Sequence, residues 1–262
     1  MKLISCIAAA FIVLLPTPTT APAASLYLHI PGIMGEQSTP GYPGAMSIQS
    51  LVVMPAQFVI TKNIDAASPA IFNAVANGTP FSSASALLYN STALGSPDAT
   101  LTFQNVVASG YQLQGGGTFE QDSFVATTPG SIFLELPGIV GESSTPGHAG
   151  VIQIDSFSLT PSQFSITKAI DSTSPDIMSA VINGTPFATA SVLFYNAASP
   201  SGPPDGIFSF GDVVASGYQI LNGGVLPHER DSFSFASVPE PATATLLLCV
   251  VLFCLTDRRK CI

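Results

Sequence analysis

The amino-acid sequence repeats itself at a spacing of 106 residues, and a chain that carries one pattern twice is expected to fold as two copies of one unit. Gly32-Ile33-Met34-Gly35-Glu36 returns as Gly138-Ile139-Val140-Gly141-Glu142, and Ser38-Thr39-Pro40-Gly41 returns as Ser144-Thr145-Pro146-Gly147. Phe58, Ile60-Thr61-Lys62, Ile64 and Asp65 return at Phe164, Ile166-Thr167-Lys168, Ile170 and Asp171. Asn77-Gly78-Thr79-Pro80-Phe81 returns intact from Asn183, and the seven residues from Val106 return from Val213, shifted by one inserted residue. Period and length predict two tandem domains of about a hundred residues each. Their bounds are read as 24–130 and 131–237, between end segments 1–23 and 238–262 of different composition.

Each unit opens with alternation at period two: Leu26, Leu28 and Ile30 against Tyr27 and His29, then Ile132, Leu134 and Leu136 against Phe133 and Glu135. His29 becomes Glu135 at the same outward position, so neither carries chemistry common to the copies. A loop rich in Gly, Ser and Pro follows, then β-branched and aromatic runs over 46–54 and 57–64, matched by 151–159 and 163–170. One helix per unit is expected. Ser68 caps it, Pro69 opens it, Ile71, Phe72 and Val75 form its apolar stripe and Gly78 ends it. Ser174, Pro175, Ile177, Met178, Val181 and Gly184 repeat those roles, with Asp176 near the positive helix start. Further strands are expected around 85–89, 100–113 and 123–126, and around 191–195, 207–220 and 232–236. The fold class is therefore mainly β: two tandem β-barrel domains, each with one flanking α-helix.

Charge narrows the function. Of 262 residues only 9% are charged, against the usual quarter, which argues against a charge-coated cytosolic enzyme. Between residues 24 and 238 fourteen acids face three bases, Lys62, Lys168 and Arg230, so this body repels phosphate backbones and binds no nucleic acid. All four cysteines, Cys6, Cys249, Cys254 and Cys261, lie in the end segments. The body can hold no disulfide, thiolate nucleophile or Cys-based metal site.

Both ends read as addresses. Lys2, the apolar run 3–15 and the small-residue site Ala21-Pro22-Ala23 have the three parts of a secretory signal peptide, with cleavage expected after Ala23. The C-terminus carries Pro239-Glu240-Pro241, an apolar run over 242–255 and the basic cluster Arg258-Arg259-Lys260. Its fourteen residues would make a helix of about 21 Å, short for a hydrocarbon core of about 30 Å. The tripartite tail resembles the PEP-CTERM sorting signal of Gram-negative bacteria that make exopolysaccharide. That resemblance implies transient membrane anchoring and processing by an exosortase-type enzyme; an ordinary tail anchor is the alternative.

No H-E-x-x-H, G-x-S-x-G, P-loop, dinucleotide or EF-hand pattern is present. His148 and His228 stand beside Gly147 and Pro227 and are expected to be solvent-exposed loop residues. Lys62 and Lys168 read as strand-end lysines pairing with Asp65 and Asp171 rather than as a paired active site. Glu120 and Asp122, with Glu229 and Asp231, read as a solvated loop before the last strand, with calcium ligation as the rival reading. Asn77, Asn183 and Asn90 stand in formal glycosylation sequons, the first two explained by helix ends. Gly115-Gly116-Gly117 and Gly223-Gly224 precede no helix and read as turn glycines. No catalytic residue, cofactor or metal ligand is assigned.

The order of these features carries a resemblance. An opening strand, Gly138-Ile139-Val140-Gly141-Glu142-Ser143 or its variant, Phe58-x-Ile60-Thr61-Lys62-x-Ile64-Asp65, Ser68-Pro69, Val106-Val107-Ala108-Ser109-Gly110-Tyr111 and a final Asp122-Ser123-Phe124 resemble the Hcp family, once per unit over 25–237. Hcp proteins form the tube of type VI secretion, so the resemblance implies a compact β-barrel with one helix, hexameric rings stacked into a tube, and no catalytic residues. Self-association is implied too, with three two-domain chains able to close a pseudo-hexamer. The two addresses lead to a non-enzymatic, exported structural or interaction protein of the cell surface or exopolysaccharide matrix. The alternative is a tube component or effector carrier of a type VI system, and a metal-dependent surface hydrolase is a third class.

Overall fold

The computed structural model describes residues 24–39, 42–89, 97–126, 130–144, 148–195, 202–221 and 227–236. The cleavage residues Ala21 and Ala23, the sorting residues Pro239, Glu240, Pro241, Arg258, Arg259 and Lys260, and Asn90, Gly223 and Gly224 lie outside them. No helix among the described residues is long and apolar enough to cross a membrane.

The first unit runs β1 (Ser25–His29), β2 (Gln37–Thr39), β3 (Tyr42–Ile48), β4 (Ser50–Met54), β5 (Gln57–Asn63), α1 (Ser68–Asn77), β6 (Pro80–Tyr89), β7 (Ala99–Gln114) and β8 (Phe119–Val125). The second runs β9 (Ser131–Glu135), β10 (Ile152–Ile154), β11 (Ser156–Thr160), β12 (Gln163–Ala169), α2 (Ser174–Asn183), β13 (Pro186–Tyr195), β14 (Gly206–Leu221) and β15 (His228–Ala236). Each unit closes into a barrel. β3 pairs with β1 and, after Gln49 alone, the chain continues as β4 paired with β5; β5–β8–β7–β6–β1 completes the circuit. In the second unit β10 and β11 share that role around Asp155. All these ladders are antiparallel.

The long strand β7 serves two neighbours because it bends. Its first half pairs with β6 and its second half with β8; Asn105 takes a positive φ of 50°, and the register slips again between Ala108 and Gly110. Asp212 holds the same conformation in β14. Asn and Asp tolerate this left-handed region better than other non-glycine residues, so the irregularity is written into both copies. The repeated Gly35 and Gly141 have a steric cause: an added Cβ would lie 2.5 Å from the Ala45 carbonyl oxygen and 2.1 Å from that of Val151.

Inward positions alternate as expected, and Phe58, Phe103 and Phe124 stack with centroids 4.1 and 4.8 Å apart. The helices depart from expectation in two ways. Each ends at a left-handed glycine, Gly78 or Gly184, but the residue before each helix is Ala67 or Thr173, and no side chain caps the start. Ser68 and Ser174 sit inside the first turn with their hydroxyls committed elsewhere. Phe72 is 54% exposed and lies edge-on to Tyr111, so the buried face is formed by Ile71 and Ala74 and not by the stripe of Ile71, Phe72 and Val75 that the sequence predicts.

The two barrels share one sheet and one continuous core. β4 of the first pairs antiparallel with β11 of the second, and β14 meets β7 at Gly206 and Leu101.

Candidate functional site

Among the described residues, one cluster of buried charges recurs in both copies, and it lies inside the barrels. In β5 the inward set is Phe58, Ile60 and Lys62, and in β8 it is Phe124, Asp122 and Glu120. Antiparallel register sets Phe58 opposite Phe124, Ile60 opposite Asp122 and Lys62 opposite Glu120. One end of the core is therefore ionic by the same period-two rule that makes the rest apolar. In the second unit Lys168, Glu229 and Asp231 occupy the same register positions. All six side chains are 0% exposed.

Four oxygens surround the Lys62 ammonium: Asp65 Oδ1 at 2.5 Å, Glu120 Oε1 at 2.7 Å, and Ser68 Oγ and the Asn63 carbonyl at 3.1 Å. Ser68 Oγ donates to Glu120 Oε1 at 2.9 Å and accepts from the Asp65 amide at 2.9 Å. Asp65 Oδ1 also accepts from the Ala67 amide. The network thus fastens the start of α1 to β5 and β8. Around Lys168 the distances repeat: Asp171 at 2.6 Å, Glu229 at 2.9 Å and Ser174 at 3.2 Å. The second copy adds two donors. Thr173 Oγ1 bonds Asp171 Oδ1 at 2.6 Å, and Tyr218 Oη bonds Glu229 Oε2 at 2.7 Å. Despite the cost of its burial, Asp171 is held below the usual carboxylate range by Lys168 and Thr173.

Each network holds three acids against one lysine, and the surplus falls on Asp122 and Asp231. Burial first, then the charge of Glu120 or Glu229, pushes each up to about 7, and neither carboxyl oxygen has a hydrogen-bond acceptor's usual donor. A proton on Asp122, shared toward Glu120, removes one of two adjacent negative charges from a low-dielectric site. Burial and the neighbouring glutamate also push Tyr111 and Tyr218 up to about 12, so both hydroxyls stay protonated.

These positions correct two expectations and extend a third. Glu120, Asp122, Glu229 and Asp231 are buried strand residues, not a solvated loop, and among the described residues no group of three or more His, Cys, Asp or Glu could hold a metal ion. His148 is only 7% exposed, stacked 4.9 Å from Phe133 and 4.0 Å from Tyr195; aromatic neighbours invisible in its local sequence bury it. His228 opens β15 and lies 3.2 Å from Asp155. The lysines do pair with Asp65 and Asp171, as expected, but each also meets a glutamate from the last strand. Asn77 and Asn183 end their helices, and Gly115, Gly116 and Gly117 form a turn with positive φ. The signal for the network was available: aligning the alternation of 57–63 with that of 119–125 turns Lys62, Glu120 and Asp122 inward.

Two surface clefts accompany the second barrel. One of about 320 Å³ is lined by Leu134, Glu135, Ile139 and Ser191. The other, of about 420 Å³, is lined by Glu142, Asp155 and Asp171, and each acid already has a partner: the Ser172 amide, His228 and Lys168. Neither cleft brings together a nucleophile, a base and an orienting group.

The family model described as "Type VI secretion system effector, Hcp" matches residues 52–127 and again 159–239, together more than half of the chain. Among solved structures, a type VI secretion system effector from Yersinia pestis is 24% identical, with a TM-score of 0.35 over 40% of this chain and 83% of that one. Hcp1 from Salmonella typhimurium is 20% identical, with a TM-score of 0.35 over 40% and 84%. The secreted protein Hcp3 from Pseudomonas aeruginosa is 17% identical, with a TM-score of 0.32 over 40% and 87%. A comparison with curated proteins gives no match. One family model falling once on each barrel makes the chain a member of the Hcp family, built as two tandem copies of its fold.

Proposed function

We propose that this chain is an exported, non-enzymatic structural or interaction protein with Hcp-like barrels, sorted to the cell surface or exopolysaccharide matrix. The observation that carries the reading is where the repeated ionic cluster lies: Lys62, Glu120, Asp122 and their counterparts are 0% exposed, and each lysine is paired with its glutamate, so they brace the barrel instead of meeting a substrate. The address-like ends supply the route. On this reading 1–23 is removed on export, and Pro239-Glu240-Pro241 with Arg258-Arg259-Lys260 is processed by an exosortase-type enzyme after transient membrane anchoring. Fractionation of cells expressing the chain with an internal tag tests it. The processed protein is expected in the envelope or medium, and a Glu240→Ala change is expected to leave an unprocessed form in the membrane. Intact chain in the cytoplasm would overturn the proposal.

The family match favours one second reading, a tube component or effector carrier of a type VI system. It requires export to depend on a contractile sheath, so secretion that persists in a strain without sheath genes removes it.

A further inference from the structure

The register between the barrels has a symmetry that neither barrel has alone. Val52 of β4 pairs with Ser158, its own counterpart in the repeat. Val53 pairs with Phe157, the counterpart of Leu51, while Leu51 pairs with Leu159, the counterpart of Val53. Each residue meets the partner of its mirror position, which is the signature of a two-fold axis through Val52 and Ser158. The second contact obeys the same rule. Leu101 pairs with Gly206, the counterpart of Ala99, which centres that contact on Thr100 and Ile207. The approach there is close: a Cβ on Gly206 would lie 2.5 Å from Leu101 Cδ1 and 3.3 Å from its Cα.

We infer that the two barrels of one chain form a closed two-fold pair, and that the β4 edge is a self-complementary docking strand whose occupant is a second copy of the same unit, already supplied by the chain as β11. A two-fold contact uses the same patch on both members and ends there. A ring needs a head-to-tail contact, in which one patch meets a different patch and the second stays open for the next member. The junction between these barrels is of the first kind. A cyclic six-fold ring of equivalent barrels from three chains would need the second kind at all six junctions, including the three inside the chains. The inference goes beyond the proposed function and is independent of export, since it rests on strand register alone.

Residues 24–238 contain every described element and no cysteine, which makes the register testable by chemistry. In the double variant Val52→Cys with Ser158→Cys, a short bismaleimide is expected to bridge the two thiols within one chain. At about 10 micromolar protein, bridges within a chain should exceed bridges between chains by about a hundredfold, the ratio set by a millimolar effective concentration. Bridging mainly between chains would overturn the inference. The unaltered segment gives an independent readout by light scattering after size exclusion, which needs no cysteine variant to fold. A monomer mass is expected, and a trimer that electron micrographs show as a six-fold ring of barrels would overturn the closed pair.

Discussion

In the first barrel Leu51, Leu88, Leu101 and Ala126 stand where the second has Phe157, Phe194, Phe208 and Phe235, and all eight are buried. The second core is a web of phenylalanines, with Phe164 stacked on Phe210 at 4.6 Å and on Phe233 at 4.8 Å. In the ionic end, by contrast, Lys62, Asp65, Ser68, Tyr111, Glu120 and Asp122 all have identical counterparts. Apolar burial has no direction, so one barrel framework can be filled by different side chains. A buried ammonium needs its acceptors at fixed distances and angles, so its surroundings admit few alternatives. The two copies serve as an internal mutagenesis experiment, and they separate the tolerant part of the core from the exacting part.

The largest effect that sharpens this contrast is loss of a lysine. Lys62→Met leaves Asp65, Glu120 and Asp122 buried with no cation, at an expected cost of about 3–5 kcal/mol in denaturant unfolding. A cost under about 1 kcal/mol would erase the distinction between the two parts of the core. Titration comes next. Asp122 and Asp231 have folded pKa values of about 7, against an ordinary value of 3.8, so the folded state holds protons that the unfolded chain has released between those values. Their stabilising effect is complete below about pH 4 and is lost as pH rises toward about 7, by up to about 4 kcal/mol per acid. Asp171 acts in the opposite sense, since its depressed pKa costs stability only as pH falls below the ordinary carboxylate range. Unfolding free energy should therefore decline from mildly acid to neutral pH, and Asp122→Asn should flatten that slope.

Exchanging core residues between the copies probes the tolerant part. Phe194→Leu is expected to cost about 1–2 kcal/mol for the apolar volume removed, and Leu88→Phe about 1–3 kcal/mol for overpacking. Thermal unfolding of both variants checks whether the framework accommodates either filling. The smallest effect comes from the threonine that the second network has and the first lacks. Thr173→Ala removes the 2.6 Å bond to Asp171 and should cost about 1 kcal/mol, while Ala67→Thr in the first barrel should return a similar amount. If Ala67→Thr destabilises instead, the first network has no room for the hydroxyl that the second accommodates.

The repeat, the barrel class, the single helix per unit and its glycine stop were legible because periodicity and turn chemistry are local signals. The ionic end was half legible. Lys62 and Asp65 lie three residues apart, and their pairing could be read from the chain; Glu120 comes from 58 residues away, and only the register of β5 on β8 delivers it. Ser68 reads as a cap because serine before Pro69 commonly is one, yet a buried lysine and glutamate compete for the same hydroxyl and win it. His148 reads as exposed because Gly147 precedes it, and its aromatic cover arrives from β9 and β13. The pairing of β4 with β11 left no local trace, since an edge strand and a paired strand share the same alternation.

That pairing joins the barrels through three residue pairs of β4 and β11 and one of β7 and β14, over a core common to both. Between two separate barrels, any such contact would weaken as the protein is diluted. Tethering changes the arithmetic. Both barrels travel on one chain, so each sees the other at about millimolar effective concentration however dilute the surroundings become. Covalent fusion thereby makes the association independent of dilution, and keeps two strand edges covered that would otherwise be open to foreign strands.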